Sequence, residues 1–333
     1  MAESGFLGSA ARRGNERVRE TGMNILKTAK IWFSLSLLAI LDSLFSVFFF
    51  GYRLGVDFAG GALLEVKVAN EGREDASELI ARSYRERVNL EVAVQGSGEN
   101  RFLVRSREIT NEQKEAILND LRSALGEVEE LRFETVSPLI SRDVVRKAIL
   151  AVIVAVLGIL FYISLSFRRV PQPATSFRFA VAAILALVHD AIILLGAYAL
   201  ASFFFGAEVD SLFITSLLTL LGFSVHDTIV TFDRIRENLR RRKEGESFEE
   251  LANRSVNETI IRSINTSYTL ILVLLAVFLF GGATLKWMAF ALLVGVFIGT
   301  YSTIFIATPI LVWWQKRVER ARLKVEGLGK ESF

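Results

Sequence analysis

The sequence predicts a bundle of six transmembrane helices with a small α+β domain inserted between the first and the second. Three observations carry that reading. Six runs of about 20 or more largely apolar residues, the length a helix needs to cross the hydrocarbon core, punctuate the chain. A polar insert between the first two runs shows the periodicities of strands and helices. Lys and Arg gather on alternate sides of the runs.

The runs cover residues 31–51, 148–167, 177–204, 212–232, 266–281 and 287–314. The fifth is the shortest, unless the polar stretch 262–265 continues its helix. Trp32, Trp287, Trp313 and Trp314 fall at expected span ends, where an amphipathic indole prefers the interface. Of the whole chain, 52% is hydrophobic and 23% charged, so dense charge must lie elsewhere. The amino-terminal tail, 1–30, holds six basic and three acidic residues, and the carboxy-terminal tail, 316–333, the same numbers. The loop 168–178 has three Arg and no acid, whereas the loop around Glu208 and Asp210 has no basic residue. Positive charge stays inside, which puts both termini in the cytoplasm. The polar, basic start offers no cleavage site, so the first run is expected to remain as a span, 31–52.

The insert, about 53–145, carries 18 acidic and 13 basic residues, counted over 53–143, and is expected on the outer side. Residues 62–68 alternate as a strand, and 74–88 have helical periodicity. Two strands, 92–95 and 101–105, flank the turn Gly96-Ser97-Gly98-Glu99-Asn100, a helix covers 111–125, and 132–136 closes the set. The order βαββαβ predicts a ferredoxin-like domain. Residues 146–315 then hold the second to sixth spans. Within them lies a charged cytoplasmic segment, 233–262, where Ser247-Phe248-Glu249-Glu250 fits a capping box opening a short surface helix. The run 240–243 is a solvated charge cluster or a contact to anionic lipid.

Cys is absent, which removes disulfides and thiolate metal sites, and His189 and His226 are too few for a histidine metal centre. No phosphate-binding loop and no nucleophile triad occurs, so the chain does not read as an enzyme, and no cofactor is implied. A net charge of +3 implies no nucleic-acid partner. The informative residues are the ionisable ones inside the spans, where a charge costs about 2.5–3.5 kcal/mol or more and usually serves a function. Ser224, Asp227 and Thr231 form one polar stripe of the fourth run, and Arg262, Thr266 and Thr269, with Asn265 beside them, form another on the fifth. Facing each other, they would make a proton relay, with Arg262 favouring the charged form of Asp227, or a static ion pair holding two helices. His189 and Asp190 either join that network or bond and pack locally. Asp42, with Ser43 and Ser46 nearby, reads as a partnered structural polar residue.

Four segments resemble the SecF family. Gly55-Val56-Asp57-Phe58-Ala59-Gly60-Gly61 is similar to its Gly-x-Asp-Phe-x-Gly-Gly element. Residues 222–238, ending Phe232-Asp233-Arg234-Ile235-Arg236-Glu237-Asn238, resemble its fourth-span motif; His226 stands where the family usually has Asn. Val256-Asn257-Glu258-Thr259 and Arg262-Ser263-Ile264-Asn265-Thr266-Ser267 resemble the start of its fifth span, and Ser137-Pro138 with 146–150 the start of its second. The resemblance implies a member of the resistance-nodulation-division superfamily in a bacterial-type plasma membrane. It implies a SecD-like partner, a SecYEG-type channel and a translocating preprotein driven by the proton-motive force. Asp227 would be the proton-carrying acid and Arg262 its charge partner; His226, a departure from the family pattern, either joins the relay as an imidazole or only takes the place of the amide sterically. The rival readings are a small-molecule or lipid exporter of the same superfamily and a non-transporting membrane scaffold.

Overall fold

The structure, a computed structural model, describes residues 25–69, 75–96, 100–168 and 170–330. The amino-terminal tail to residue 24, the turn residues Ser97, Gly98 and Glu99, and the last three residues lie outside the described residues. A 3-10 turn, Ile25–Thr28, leads into α1 (Ala29–Phe50). There follow β1 (Arg53–Leu54), the one-turn α2 (Val56–Ala59), β2 (Gly61–Val68), α3 (Ala76–Val88), β3 (Ala93–Gly96), β4 (Arg101–Ser106), α4 (Asn111–Leu125) and β5 (Val128–Val136). The remainder is α5 (Pro138–Ser166), α6 (Ser176–Phe205), β6 (Glu208–Val209), α7 (Ser211–Arg240), α8 (Phe248–Phe280), α9 (Gly282–Ser302), a π-helical segment (Thr303–Ala307) and α10 (Thr308–Lys330).

These elements form two compact units. The membrane unit comprises the chain up to Gly51, Val154–Ala207 and everything from Thr215; the polar unit comprises Tyr52–Ile153 and Glu208–Ile214. Among the described residues, six helices are long and apolar enough to cross a membrane: Ile25–Phe50, α5, α6, α7, α8, and the run Leu285–Arg322 through α9, the π segment and α10. All are longer than the apolar runs that announce them. α5 starts at Pro138, where a missing N–H at the first helical position costs nothing. α8 starts at the expected capping box, with Ser247 Oγ accepting from the Glu250 N–H at 3.2 Å and the Glu250 carboxylate accepting from the Ser247 N–H at 2.9 Å. The helix that follows is not short. No Gly or Pro interrupts it for 33 residues, so the surface helix expected from sequence and the fifth span are one element. α7 likewise runs on to Arg240, so most of 233–262 is helical, and α10 takes up residues expected as a tail. A ring cluster of Phe167, Phe179 and Phe232, with centroids 5.2–6.0 Å apart, fills the core where α5, α6 and α7 meet.

In the polar unit the strands pair antiparallel in the order β3-β4-β2-β5. With α3 and α4 the sequence order is strand, helix, strand, strand, helix, strand. The helices bury Ile80, Tyr84, Ile117, Leu118 and Leu121 with Leu64 and Val66 of the central strand. Asp120 of α4 accepts from Ser83 of α3 at 2.8 Å and from Arg87 at 2.5 Å, and that guanidinium holds the Asp120 carboxyl below its usual range. Gly61 opens β2 at φ +111°, and a Cβ there would sit 2.4 Å from the Ser106 carbonyl oxygen, so no other residue fits. The unit also takes in 208–214, which sequence reasoning gave to the membrane region: β6 pairs parallel with β1, Arg53 with Glu208 and Leu54 with Val209.

Replacing Ile117 by Ala should destabilise the polar unit by ~2–5 kcal/mol. The buried Tyr84 hydroxyl has no partner, so Tyr84→Phe should be neutral or stabilising. Thermal unfolding of the purified full chain checks both; a clear loss in Tyr84→Phe would contradict the unpartnered hydroxyl.

Candidate functional site

Two buried carboxylates lie in the membrane unit, and they are coordinated differently. Asp190 of α6 is fully buried. Its Oδ1 is 2.8 Å from His189 Nδ1, and its Oδ2 accepts from Ser224 Oγ of α7 at 2.5 Å and from Ser302 Oγ of α9 at 2.7 Å. His189 Nε2 is buried without a partner, and its ring lies near-parallel to that of Tyr301 at 6.3 Å. Asp227 of α7 is 8% exposed. Its Oδ1 accepts from Ser263 Oγ of α8 at 2.5 Å, while its Oδ2 is buried without a well-formed hydrogen bond among the described residues, the Thr303 hydroxyl being its neighbour from the sixth span.

The sixth span ties these groups together. Thr300, Tyr301, Ser302 and Thr303 are consecutive, and each reaches a different helix: Ser267 of α8 at 2.5 Å, Ser36 of α1 at 2.9 Å, Asp190 of α6 and Thr228 of α7 at 2.9 Å. Successive helical residues point about 100° apart, so four in a row address the whole circumference. Gly299 makes the approach possible, since a Cβ there would lie 3.1 Å from Ser224 Cβ. The π segment begins at Thr303, whose carbonyl is taken by Thr308 Oγ1 at 3.1 Å. Such segments recur where a membrane helix must re-aim its side chains.

The expected stripe on α7 is present, with Ser224, Asp227 and Thr231 all buried. The stripe expected opposite it is not the one that faces it. Arg262 and Thr266 lie on the exposed side of α8, and Thr266 Oγ1 bonds back to the Arg262 carbonyl at 3.0 Å. The buried face of α8 is Ser255, Thr259, Ser263 and Ser267: the first three reach Asn238, Thr231 and Asp227 of α7, Thr259 lying 3.5 Å from Thr231, and Ser267 reaches Thr300 of α9. Small hydroxyl residues let two helices approach, which a guanidinium cannot. Among the described residues, Asp227 and Arg262 make no ion pair in this arrangement. His226 and Asp42 are exposed, and Asp42 has no partner among the described residues, unlike the partnered residue expected. Sequence reasoning missed Ser263, Ser302 and the run 300–303; the signal was a polar stretch in the middle of an apolar span.

The motif at the end of α7 is a joint between helices. Arg234 pairs with Glu258 of α8 and with Glu237, both at 2.6 Å, and Asn238 Nδ2 donates to Ser255 and Glu258 at 2.9 Å. Arg236 pairs with Asp233 and donates to the Ser166 carbonyl at the end of α5 at 3.0 Å.

Residues 116–317 match the family described as protein export membrane protein SecD/SecF, C-terminal, and residues 45–71 match the SecD/SecF GG motif. The protein translocase subunit SecF of Thermobaculum terrenum is 40% identical over 305 residues, covering 89% of this chain and 95% of that one. SecF of Anaerolinea thermophila is 41% identical over 295 residues, covering 88% and 94%. The chain belongs to the SecF family. It is accordingly a multi-pass membrane protein and a translocase subunit by family. Among solved structures, SecDF from Thermus thermophilus, a translocon-associated membrane protein, matches with a TM-score of 0.74 at 30% identity over 90% of this chain. A super-membrane-facing form of SecDF matches with a TM-score of 0.64 at 31% identity over 92%. The chain spans 39% and 40% of the lengths of those two SecDF chains.

Removing one donor from the buried Asp190 should cost ~1–3 kcal/mol, so Ser302→Ala and Ser224→Ala should each lower the unfolding temperature of the purified protein. Asp190→Asn, which keeps hydrogen bonding, should cost less than Asp190→Leu. Equal stability of Asp190→Leu and the native chain would show that the network does not hold these helices.

Proposed function

We propose that the chain is the SecF-like half of a proton-driven auxiliary translocase. It works beside a SecD-like subunit and a SecYEG-type channel to help preproteins complete their passage. The observation that supports this most directly is the half-satisfied carboxylate of Asp227, with one oxygen held by Ser263 and the other buried and free to take a proton. Ser224, Thr231 and the His189–Asp190 pair supply the surrounding hydroxyls and acid. Arg262 follows Ile261 and precedes the Ser263 that holds Asp227. A rotation of α8 by about 100° would exchange the hydroxyl for the guanidinium opposite Asp227. That exchange gives Arg262 its role as charge partner in a second arrangement. His226 precedes the relay acid on the exposed side of α7. Both termini and the joint between α7 and α8 are cytoplasmic, and the polar unit is an outer, ferredoxin-like domain, a reading its strand order β3-β4-β2-β5 supports. The exposed apolar and polar faces of α1, α5 and α8 are the surfaces a SecD-like partner would cover.

A Cys at the exposed Ser123, in a chain without background thiols, should react with an impermeant reagent added from outside; labelling only after permeabilisation would reverse the orientation. Asp227→Asn keeps size and hydrogen bonding but cannot change charge. It should reduce gradient-stimulated preprotein export to the level seen without a gradient, while the protein still inserts and assembles. A static pair predicts instead that either single replacement lowers the amount of folded complex, at ~3–5 kcal/mol, and that Asp227→Asn/Arg262→Met restores abundance and function. Full gradient-dependent export by the double variant would sink the relay and favour the scaffold.

A further inference from the structure

The Gly-Gly element after the first span has no chemistry in the reading above, yet its acid is occupied. Asp57 Oδ2 accepts from the Ser211 N–H, the first of α7, at 2.9 Å. Asp210 Oδ1 accepts from the Phe213 N–H at 2.8 Å, as an N-cap should. Two carboxylates from segments more than 150 residues apart therefore satisfy two free amides of the same helix start. One belongs to the helix itself; the other does not.

Further contacts surround that bond. β1 and β6 pair in parallel immediately before both acids, Leu54 against Val209. The Gly55 N–H donates to the Val209 carbonyl at 2.9 Å, and a Cβ on Gly55 would lie 3.1 Å from Asp210 Cβ, so the strands approach as closely as glycine allows. Arg105 of the sheet closes the joint through an ion pair with Glu208. All of these residues lie in the polar unit, and α7 leaves that unit as an unbroken helix that carries Ser224 and Asp227.

We infer that Asp57 is a positioning residue: with the β1–β6 pair it ties the first turn of α7, the helix that bears Asp227, to the segment that follows the first span. A two-residue parallel ladder is too short to hold alone. The amide cap supplies an anchor at the helix end, where the dipole favours a negative charge. Sequence spacing cannot reveal this bond, because Asp57 and Ser211 share no element.

The experiment uses the full chain co-expressed with its partner subunit in membranes. Paired strands lie about 4.8 Å apart, within the range a disulfide spans, so Leu54→Cys with Val209→Cys should crosslink on oxidation in this cysteine-free chain. Adding Asp57→Ala should lower the ratio of crosslinked to free protein about five-fold under limiting oxidant, as loss of a cap would. This arm needs no gradient and stands whether or not the proton-driven reading does. The second arm, which rests on that reading, measures gradient-stimulated export. Asp57→Ala should lose it at normal abundance, and full oxidation of the cysteine pair in the same chain should restore it, because a covalent tether replaces the lost one. An unchanged crosslink ratio in Asp57→Ala overturns the tether. So does a formed disulfide that fails to restore export, or one that blocks export in the otherwise native chain, since the joint would then have to open. Absence of any gradient dependence in the native chain counts against the proton-driven reading alone.

Discussion

A hydroxyl inside a bilayer must find its partner within the protein, because lipid offers none, and the sixth span carries four polar side chains in succession at its middle. That constraint organises the membrane unit. Thr300, Tyr301, Ser302 and Thr303 cannot all face one neighbour, so four helices must stand around the span at the same depth to receive them. The hydrophobic effect gives no such instruction between helices already in lipid; small-residue packing and hydrogen bonds do. The close approach at Gly299 and the π segment at Thr303 are local adjustments that bring this circumference of donors to its acceptors.

The inner end of α7 follows a different physics. Asp233, Arg234, Arg236 and Glu237 lie where charged groups are partly accessible, the side chains of their ion pairs being 26–73% exposed, while Asn238 is buried. Pairs of that kind are individually worth little. Their value is directional: Arg234 and Asn238 converge on Glu258, which sets the rotation of α8 relative to α7 in this arrangement, and the proposed rotation of α8 has to release them. The hydroxyl contacts of Thr231 with Thr259 and of Asp227 with Ser263 then continue along the same pair of helices.

The spans were legible because each is a continuous apolar run, and α4 because its apolar positions repeat on one face from Asn111 to Leu125. Their ends were not legible. Hydropathy marks the hydrocarbon core, whereas Pro138, Ser247 and the carboxylates at Ser211 set where the helices start. Asp227 and Asp190 stood out as acids in apolar runs, but the partners did not. Sequence reasoning took only the stripe Arg262–Thr266–Thr269 on α8, drawn by its charge, and passed over Thr259, Ser263 and Ser267, which have a similar helical spacing. Packing distance chose the second, because serine and threonine allow the backbones to come together and arginine does not. The β1–β6 pair and the Asp57 cap were invisible for a simpler reason: two-residue strands carry no period.

The contrast between the two buried acids bears on which of them can act. Asp190 is enclosed by two hydroxyl donors and an imidazole, from α6, α7 and α9, and any change in its hydrogen bonding has to be accommodated by three helices at once. Among the described residues Asp227 has one short hydroxyl bond, from Ser263, and an Oδ2 without one, the Thr303 hydroxyl being a weaker neighbour. A proton arriving there requires no existing bond to break, and Ser263 can reverse its role or rotate away. An acid whose coordination is complete serves best as a fixed pivot, and one left incomplete in a buried site is the one able to change state. The helix that carries Asp227 begins at the amide that Asp57 caps, so the proposed tether acts at the first residue of the helix whose middle bears the proposed relay acid.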